Sequence, residues 1–73
     1  MTTSIHRHPV ESSCLASVGY APELRTLEVE FRNGLVYRYY EVSHLTYETL
    51  VRSDSKGRYL NQAIKGHHRY ARC

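Results

Sequence analysis

An Asn-Gly pair between two runs of alternating residues is the feature that most constrains the fold of this chain. The pair, Asn33-Gly34, lies within residues 31–39, where apolar and polar side chains alternate on both sides of it. Asn and Gly adopt the left-handed backbone conformations that tight hairpin turns require. We therefore predict two antiparallel β-strands that are joined at this turn.

Two registers are compatible with this hairpin, and charge distinguishes them. A two-residue turn would place Arg38 on the buried face, opposite Val29. A three-residue loop that ends at Gly34 in a left-handed bulge conformation places Arg38 opposite Glu28 on the outer face. Because an unpaired buried arginine is costly, we predict the bulged register. It pairs Phe31 with Leu35, Val29 with Tyr37 and Leu27 with Tyr39.

Periodicity along the rest of the chain predicts the other elements. Alternation predicts strands at 14–20, 26–32 and 35–42, and helical spacing of apolar residues follows. Ser43 is expected to cap a first helix, and a second helix is expected from Lys56 to Lys65, with Gly66 as its C-cap. The predicted fold is an α+β domain, a three-stranded antiparallel β-meander followed by two α-helices that cover one face.

Length and composition indicate one small domain. We expect a flexible N-terminal arm at residues 1–11, the folded domain at 12–66 and a basic C-terminal tail at 67–73. The chain has 73 residues with seven tyrosines and no tryptophan, so tyrosines are expected to fill core space. A core of this size does not enclose a deep pocket, which argues against an enzyme that acts on a small molecule.

The two cysteines and the hydropathy pattern indicate in which cellular compartment the protein is expected. Cys14 is expected in the first strand opposite Phe31, with a buried thiol, whereas Cys73 ends the tail. Two such cysteines do not make a disulfide framework. The first residues lack the apolar segment of a signal peptide, and no stretch approaches the roughly 18 apolar residues of a membrane span. We expect a cytoplasmic protein with reduced thiols and no membrane partner.

Charge is distributed unevenly along the chain. Residues 49–73 hold six cations against the single carboxylate of Asp54, whereas residues 1–48 hold four arginines against six glutamates. This asymmetry favours a partner that carries phosphates or carboxylates. An ordinary solvated basic end is the alternative interpretation.

The start of the predicted second helix is a candidate anion site. Ser55-Lys56-Gly57-Arg58 combines unpaired backbone N–H groups, a glycine and two cations, as a phosphate cradle does. Asp54 opposes this interpretation, and Gly57 has the alternative role of letting the helix approach the sheet closely. The frame of a P-loop is absent.

Aromatic and histidine residues give weaker functional signals. Tyr37 and Tyr39 share the predicted face of Val29, so we assign them to the core rather than to base stacking. Glu28 and Glu30 on the outer face would repel phosphates, which makes that face a poor platform for nucleic acid. The five histidines lack the paired spacing of a zinc site. We predict no metal, no cofactor and no catalytic residues.

Two motifs stand out, Gly34-x-x-Tyr37-x-Tyr39-x-x-Val42 and Ser55-Lys56-Gly57-x-Tyr59-x-Asn61-x-x-Ile64. They closely resemble motifs of the KTSC family, a small domain found at the C-terminus of some lysyl-tRNA synthetases and as a free-standing bacterial or phage protein. The similarity spans about residues 12–66, although Ser43-His44 stands where many relatives carry a proline. The resemblance implies the fold above, no established catalytic residue, and RNA binding as a suggestion from the synthetase context. The residues that carry the structural signature are Gly34, Tyr37, Tyr39, Gly57, Tyr59 and Asn61.

These observations lead to two alternative functions. The first is a non-enzymatic accessory module that binds RNA or other nucleic acid through the second helix start and the basic tail. Tyr70 would stack on a base, and the phosphates would contact Lys56, Arg58, Lys65, Arg69 and Arg72. The second is a protein–protein interaction module that uses the outer sheet face or an exposed edge strand.

Overall fold

A five-stranded antiparallel sheet with two helices on one face forms this fold. The computed structural model describes residues 4–73. The strands follow one another across the sheet in chain order: β1 (His8–Pro9), β2 (Leu15–Ala21), β3 (Thr26–Phe31), β4 (Val36–Tyr39) and β5 (Tyr70–Arg72). A 3₁₀ turn, Pro22–Leu24, joins β2 to β3. Between β4 and β5 lie α1 (His44–Arg52) and α2 (Lys56–Tyr59), and α2 continues into a π-helical turn, Leu60–Ile64.

The predicted α+β class, with an antiparallel sheet and two helices, is confirmed, but the prediction of three strands is wrong. β1 forms within the predicted N-terminal arm, of which residues 1–3 lie outside the described part of the chain. β5 forms within the predicted basic tail. Both strands are two or three residues long and add to the open edges of β2 and β4 through backbone pairing. Segments this short show no alternation, so periodicity does not detect them.

The bulged hairpin register is confirmed. The Phe31 amide donates to the Leu35 carbonyl over 2.9 Å, and Gly34 has a φ of 90°, which only glycine adopts without strain. Across β3 and β4, Glu28 lies opposite Arg38 as predicted. The same register places Leu27 opposite Tyr39 and Val29 opposite Tyr37.

The predicted start of the first strand is wrong. Leu15, not Cys14, pairs with Phe31, and the register shifts between Leu15 and Ser17. This bulge inserts one residue, so Leu15 turns toward the core and Cys14 lies outside the strand. Cys14 is therefore exposed rather than buried, and Cys73 at the end of the chain is exposed as well.

The helix boundaries follow the sequence signals closely. Ser43 caps α1 as predicted, because its Oγ accepts the Thr46 amide hydrogen over 3.1 Å. The second helical segment begins at Lys56 as predicted and ends at Ile64, with Gly66 following at a φ of 81°. The π-helical turn within this segment was not expected from the sequence.

The hydrophobic core lies between the sheet and the helices. Tyr39 is 2% exposed, which confirms its predicted place on the helix-covered face, and Tyr37 packs against the same core. The Tyr47 ring of α1 stacks on the Tyr20 ring of β2, with centroids 5.0 Å apart. The other residues of the core are Leu15, Val18, Leu27, Val29, Val42, Leu50, Leu60 and Ile64.

Candidate nucleic-acid interface

An open cleft of about 580 Å³ lies where β4 and β5 meet the end of the second helical segment. β5 forms one side of it, because Tyr70 pairs with Tyr39 across the strands. The hairpin loop and the Lys65-Gly66 segment form the other sides. The residues that line this aromatic cleft are Phe31, Asn33, Leu35, Tyr37, Tyr39, Lys65, Gly66 and Tyr70.

Four aromatic rings form one wall of the aromatic cleft, and they differ in how far they are exposed to solvent. The rings of Phe31 and Tyr37 meet edge to face with centroids 5.6 Å apart, and Tyr70 lies 5.9 Å from Tyr37 and 6.1 Å from Tyr39. Tyr70 is 63% exposed, whereas Tyr39 is buried beneath it. Burial raises the pKa of the Tyr39 phenol above its ordinary value. Tyr70 thus presents an exposed ring beside the rings of Tyr37 and Tyr39.

Two cations flank these rings. The Lys65 ammonium lies 6.0 Å from the centroid of the Phe31 ring, within reach of a cation–π contact. Arg72 pairs with Tyr37 in the sheet, and directly paired residues share one face of a sheet. Lys65 and Arg72 are both exposed. An anion that approaches Tyr70 would meet positive charge from the helical segment and from β5.

The start of α2 has a different arrangement from the aromatic cleft. The Lys56 ammonium donates to the Ser53 carbonyl over 3.0 Å, and the Ser55 side chain does not cap the helix. A Cβ atom at position 57 would lie 3.1 Å from Cys14 Cβ, so Gly57 lets the helical segment pack closely against the chain before β2. Arg58 is exposed. This geometry favours the packing role of Gly57.

Arg69 is not among the residues that line the aromatic cleft, although it shares a neighbouring shallow depression with Gly66 and Tyr70. Its guanidinium is 5.7 Å from the centroid of the Tyr40 ring and 3.6 Å from a Glu41 carboxylate oxygen. Among the sequence-predicted site residues, Lys65 and Tyr70 line the aromatic cleft. Arg72 lies outside this lining but pairs with Tyr37, which is part of it. Of the signature residues, Tyr59 packs against the core and Asn61 is exposed.

The loop residues of the aromatic cleft were not predicted from the sequence. Asn33 was assigned only a turn role, yet it lines the cleft while its Oδ1 accepts the Leu35 amide hydrogen over 3.1 Å. Phe31 was assigned only to the strand pairing of the hairpin. The missing information was the pairing of β5 with β4, which brings residues 70–72 back to this hairpin.

A buried charge network occupies the outer sheet face. Glu28 is 5% exposed and accepts hydrogen bonds from Arg7 and from Arg38, the latter over 2.7 Å. The hydrogen bond to Glu28 raises the pKa of the Arg38 guanidinium, although burial opposes this effect. Ser17 links the network, accepting from Arg7 Nε and donating to Glu30.

The N-terminal segment covers this network, which corrects the expectation of an open outer face. Arg7 comes from the predicted arm, and the preceding residues cross directly over β2. A Cβ atom at position 19 would lie 2.1 Å from the His6 carbonyl oxygen, so Gly19 is needed for this close crossing. The outer face is therefore closed around Glu28, and its carboxylate is not a surface charge.

Metal-binding clusters and membrane-spanning helices are both absent from the described part of the chain. Within residues 4–73, no three histidine, cysteine or acidic side chains lie close enough together to hold a metal ion. The helices of that same part of the chain are too short or too polar to cross a membrane.

Comparison with known proteins identifies the relatives of this chain. A protein of Stutzerimonas stutzeri, named only as uncharacterised, is 46% identical over 67 residues that cover 90% of this chain and 94% of the relative. A lysine–tRNA ligase of a Nostoc species is 37% identical over 60 residues. That match covers 82% of this chain but 11% of the ligase, so only one segment of the ligase is similar.

A solved structure and a family model both match this chain over most of its length. The crystal structure of a KTSC domain protein from Yersinia pestis covers 96% of this chain and 99% of its own, with a TM-score of 0.90 and 35% identity. The family model of the KTSC domain matches residues 11–70, which include every strand from β2 to β4 and both helices. The chain therefore belongs to the KTSC domain family.

Proposed function

We propose that this protein is a non-enzymatic accessory module that binds RNA, and that it acts in the cytoplasm. One observation carries the proposal: exposed Lys65 and Tyr70 line one cleft, and exposed Arg72 pairs with Tyr37 of the same cleft, in the most basic part of the chain. Phosphates bind to lysine and arginine side chains, and exposed aromatic rings stack on bases. Similarity to a segment of a lysine–tRNA ligase supports RNA as the nucleic acid.

The other cations that were predicted from the sequence are expected to contribute to RNA binding by different amounts. Arg58 is exposed on the second helical segment, which Lys65 follows directly, and extends the basic surface. Lys56 is half-buried, with its ammonium hydrogen-bonded to Ser53, and Arg69 lies beside Glu41. Each of these two already has a partner within the protein, so we expect smaller contributions from Lys56 and Arg69.

Salt-dependent RNA binding tests the proposal. The double variant Lys65→Gln/Arg72→Gln is expected to bind a ten-nucleotide RNA more weakly than the wild type. It should also flatten the slope of log K against log salt by about 0.7 for each phosphate that the variant no longer neutralises. Fluorescence anisotropy of a labelled RNA at several salt concentrations measures both quantities.

A matched variant controls for net charge. Arg25→Gln/Arg52→Gln removes two exposed charges that are outside the lining of the aromatic cleft and outside the proposed binding set, so its salt slope should stay close to that of the wild type. Equal slopes for both double variants would show that binding, if present, does not use the cleft. Absence of salt-dependent binding by the wild type at low ionic strength would contradict the proposed function.

A protein-interaction function is the second candidate, and the edge position of β5 favours it. β5 pairs with β4 on one side only, and its three residues are exposed. Unpaired backbone groups of an edge strand can pair with an extended peptide. A protein partner that adds to β5 would bind with little salt dependence, in contrast to RNA.

A further inference from the structure

The shape of the aromatic cleft bears on which form of RNA fits it. Tyr70 presents an exposed ring above the buried ring of Tyr39, so one planar group has room to stack against it from the solvent side. In a duplex, the faces of each base are covered by its neighbours, and only an unstacked base offers its own face to an aromatic side chain. The exposed Tyr70 ring is therefore suited to a base from a single strand or a loop.

The polar groups around the rings match the rest of a nucleotide. The ammonium of Lys65 carries positive charge at one wall, and the side-chain amide of Asn33 is held at another by its hydrogen bond to Leu35. A nucleotide combines a flat apolar face, polar edges and a phosphate, which correspond to ring, amide and ammonium respectively. An apolar peptide side chain would use the rings and leave the Lys65 charge without a counterpart.

We propose that the aromatic cleft binds one unpaired nucleobase of an RNA strand, stacked on Tyr70, with the adjoining phosphate near Lys65. This inference rests on the proposed function and deepens it, because it names the form of RNA that the module selects. Single-stranded or looped RNA is bound, and a continuous duplex is not accommodated in the cleft.

Substitution of Tyr70 tests the stacking. Removal of one base–aromatic stack is expected to weaken binding of a ten-nucleotide single-stranded RNA by about 5- to 150-fold in Tyr70→Ala. Tyr70→Phe, which keeps the ring, should retain the wild-type affinity. The salt slope should be unchanged in Tyr70→Ala, because the same phosphates are still neutralised. Fluorescence anisotropy and circular dichroism measure the affinity and the fold of each variant.

His44→Ala is the matched control. The His44 side chain, at the start of α1, carries a ring that is 61% exposed, and it is not among the residues that line the aromatic cleft. Its removal is expected to leave the affinity for single-stranded RNA unchanged. The wild type should also bind the single strand more tightly than a blunt duplex of the same sequence.

The outcomes separate this inference from the function on which it rests. If the wild type binds with a salt slope but Tyr70→Ala binds equally well, or the duplex binds as tightly as the single strand, the base-stacking proposal is overturned while RNA binding stands. If neither RNA binds at low salt, the proposed function itself fails. If a neutral leucine-rich peptide shifts the Tyr70 ring signals in an NMR titration and RNA does not, the cleft belongs to a protein partner and the proposal is overturned.

Discussion

Replacement of Tyr39 by alanine is expected to unfold most of the molecules at room temperature. Tyr39 is 2% exposed and belongs to the hydrophobic core, and truncation of a large aromatic core residue to alanine costs about 3–5 kcal/mol. A single core in a chain this short provides a total stability of about 3–5 kcal/mol, so little or none would remain. Thermal unfolding followed by circular dichroism measures the destabilisation.

The neighbouring tyrosine in the sheet provides a control for this variant. Tyr70 pairs with Tyr39 but is 63% exposed, so Tyr70→Ala should unfold within a few degrees of the wild type. A melting temperature of Tyr39→Ala as high as that of the wild type would contradict both the register of β3 and β4 and the core assignment.

A second large loss of stability is expected when Glu28, on the opposite face of the sheet, is replaced by glutamine. Glu28→Gln keeps the shape of the side chain but removes the charge that pairs with Arg7 and Arg38. Breaking a fully buried ion pair costs roughly 3–5 kcal/mol. The side chains of Arg7 and Arg38 keep 29% and 15% of their surface exposed, so we expect about 2–3 kcal/mol here.

Chemical denaturation compares Glu28→Gln with Glu48→Gln. The Glu48 side chain is 44% exposed and lies 4.0 Å from the His44 ring nitrogen, so its substitution should change the stability by less than about 0.5 kcal/mol. A denaturation midpoint of Glu28→Gln that equals that of the wild type would show that the N-terminal segment does not cover this carboxylate in solution.

The central part of the fold was predictable because its signals are local. The Asn33-Gly34 turn and the cost of burying Arg38 together determined the register of the hairpin, and the structure has that register. Ser43 was recognised as a cap because the preference for serine at a helix start depends on the adjacent backbone alone. These features depend on residues that are near one another in the sequence.

The edges of the sheet were not predictable for the opposite reason. β1 and β5 exist because β2 and β4 offer unpaired backbone groups, and pairing of this kind leaves no periodic trace in two or three residues. The absence of a local sequence signal also explains two wrong predictions about individual residues. Glu28 was assigned to an open face because the crossing of Arg7 over it is a tertiary contact, and Cys14 was assigned to the core because a bulge interrupts the alternation.

The aromatic cleft was predictable only in part. Lys65, Arg72 and Tyr70 were selected from their charge and ring chemistry, without any indication that they lie together. Their proximity depends on β5, which reverses direction after Gly66 and returns to the edge of β4. Hence residue types in the sequence suggested the ligand class, and the strand pairing provided the candidate location.

An NMR titration of the labelled protein with a short unpaired RNA tests the proposed RNA binding most directly. We expect the largest amide shifts at Asn33, Lys65, Gly66 and Tyr70, and we expect these shifts to shrink as salt is added. Amides of the outer sheet face around Glu28 should remain unchanged, because the N-terminal segment covers that face. Shifts centred on the outer face, or no shifts at low salt, would contradict RNA binding at the aromatic cleft.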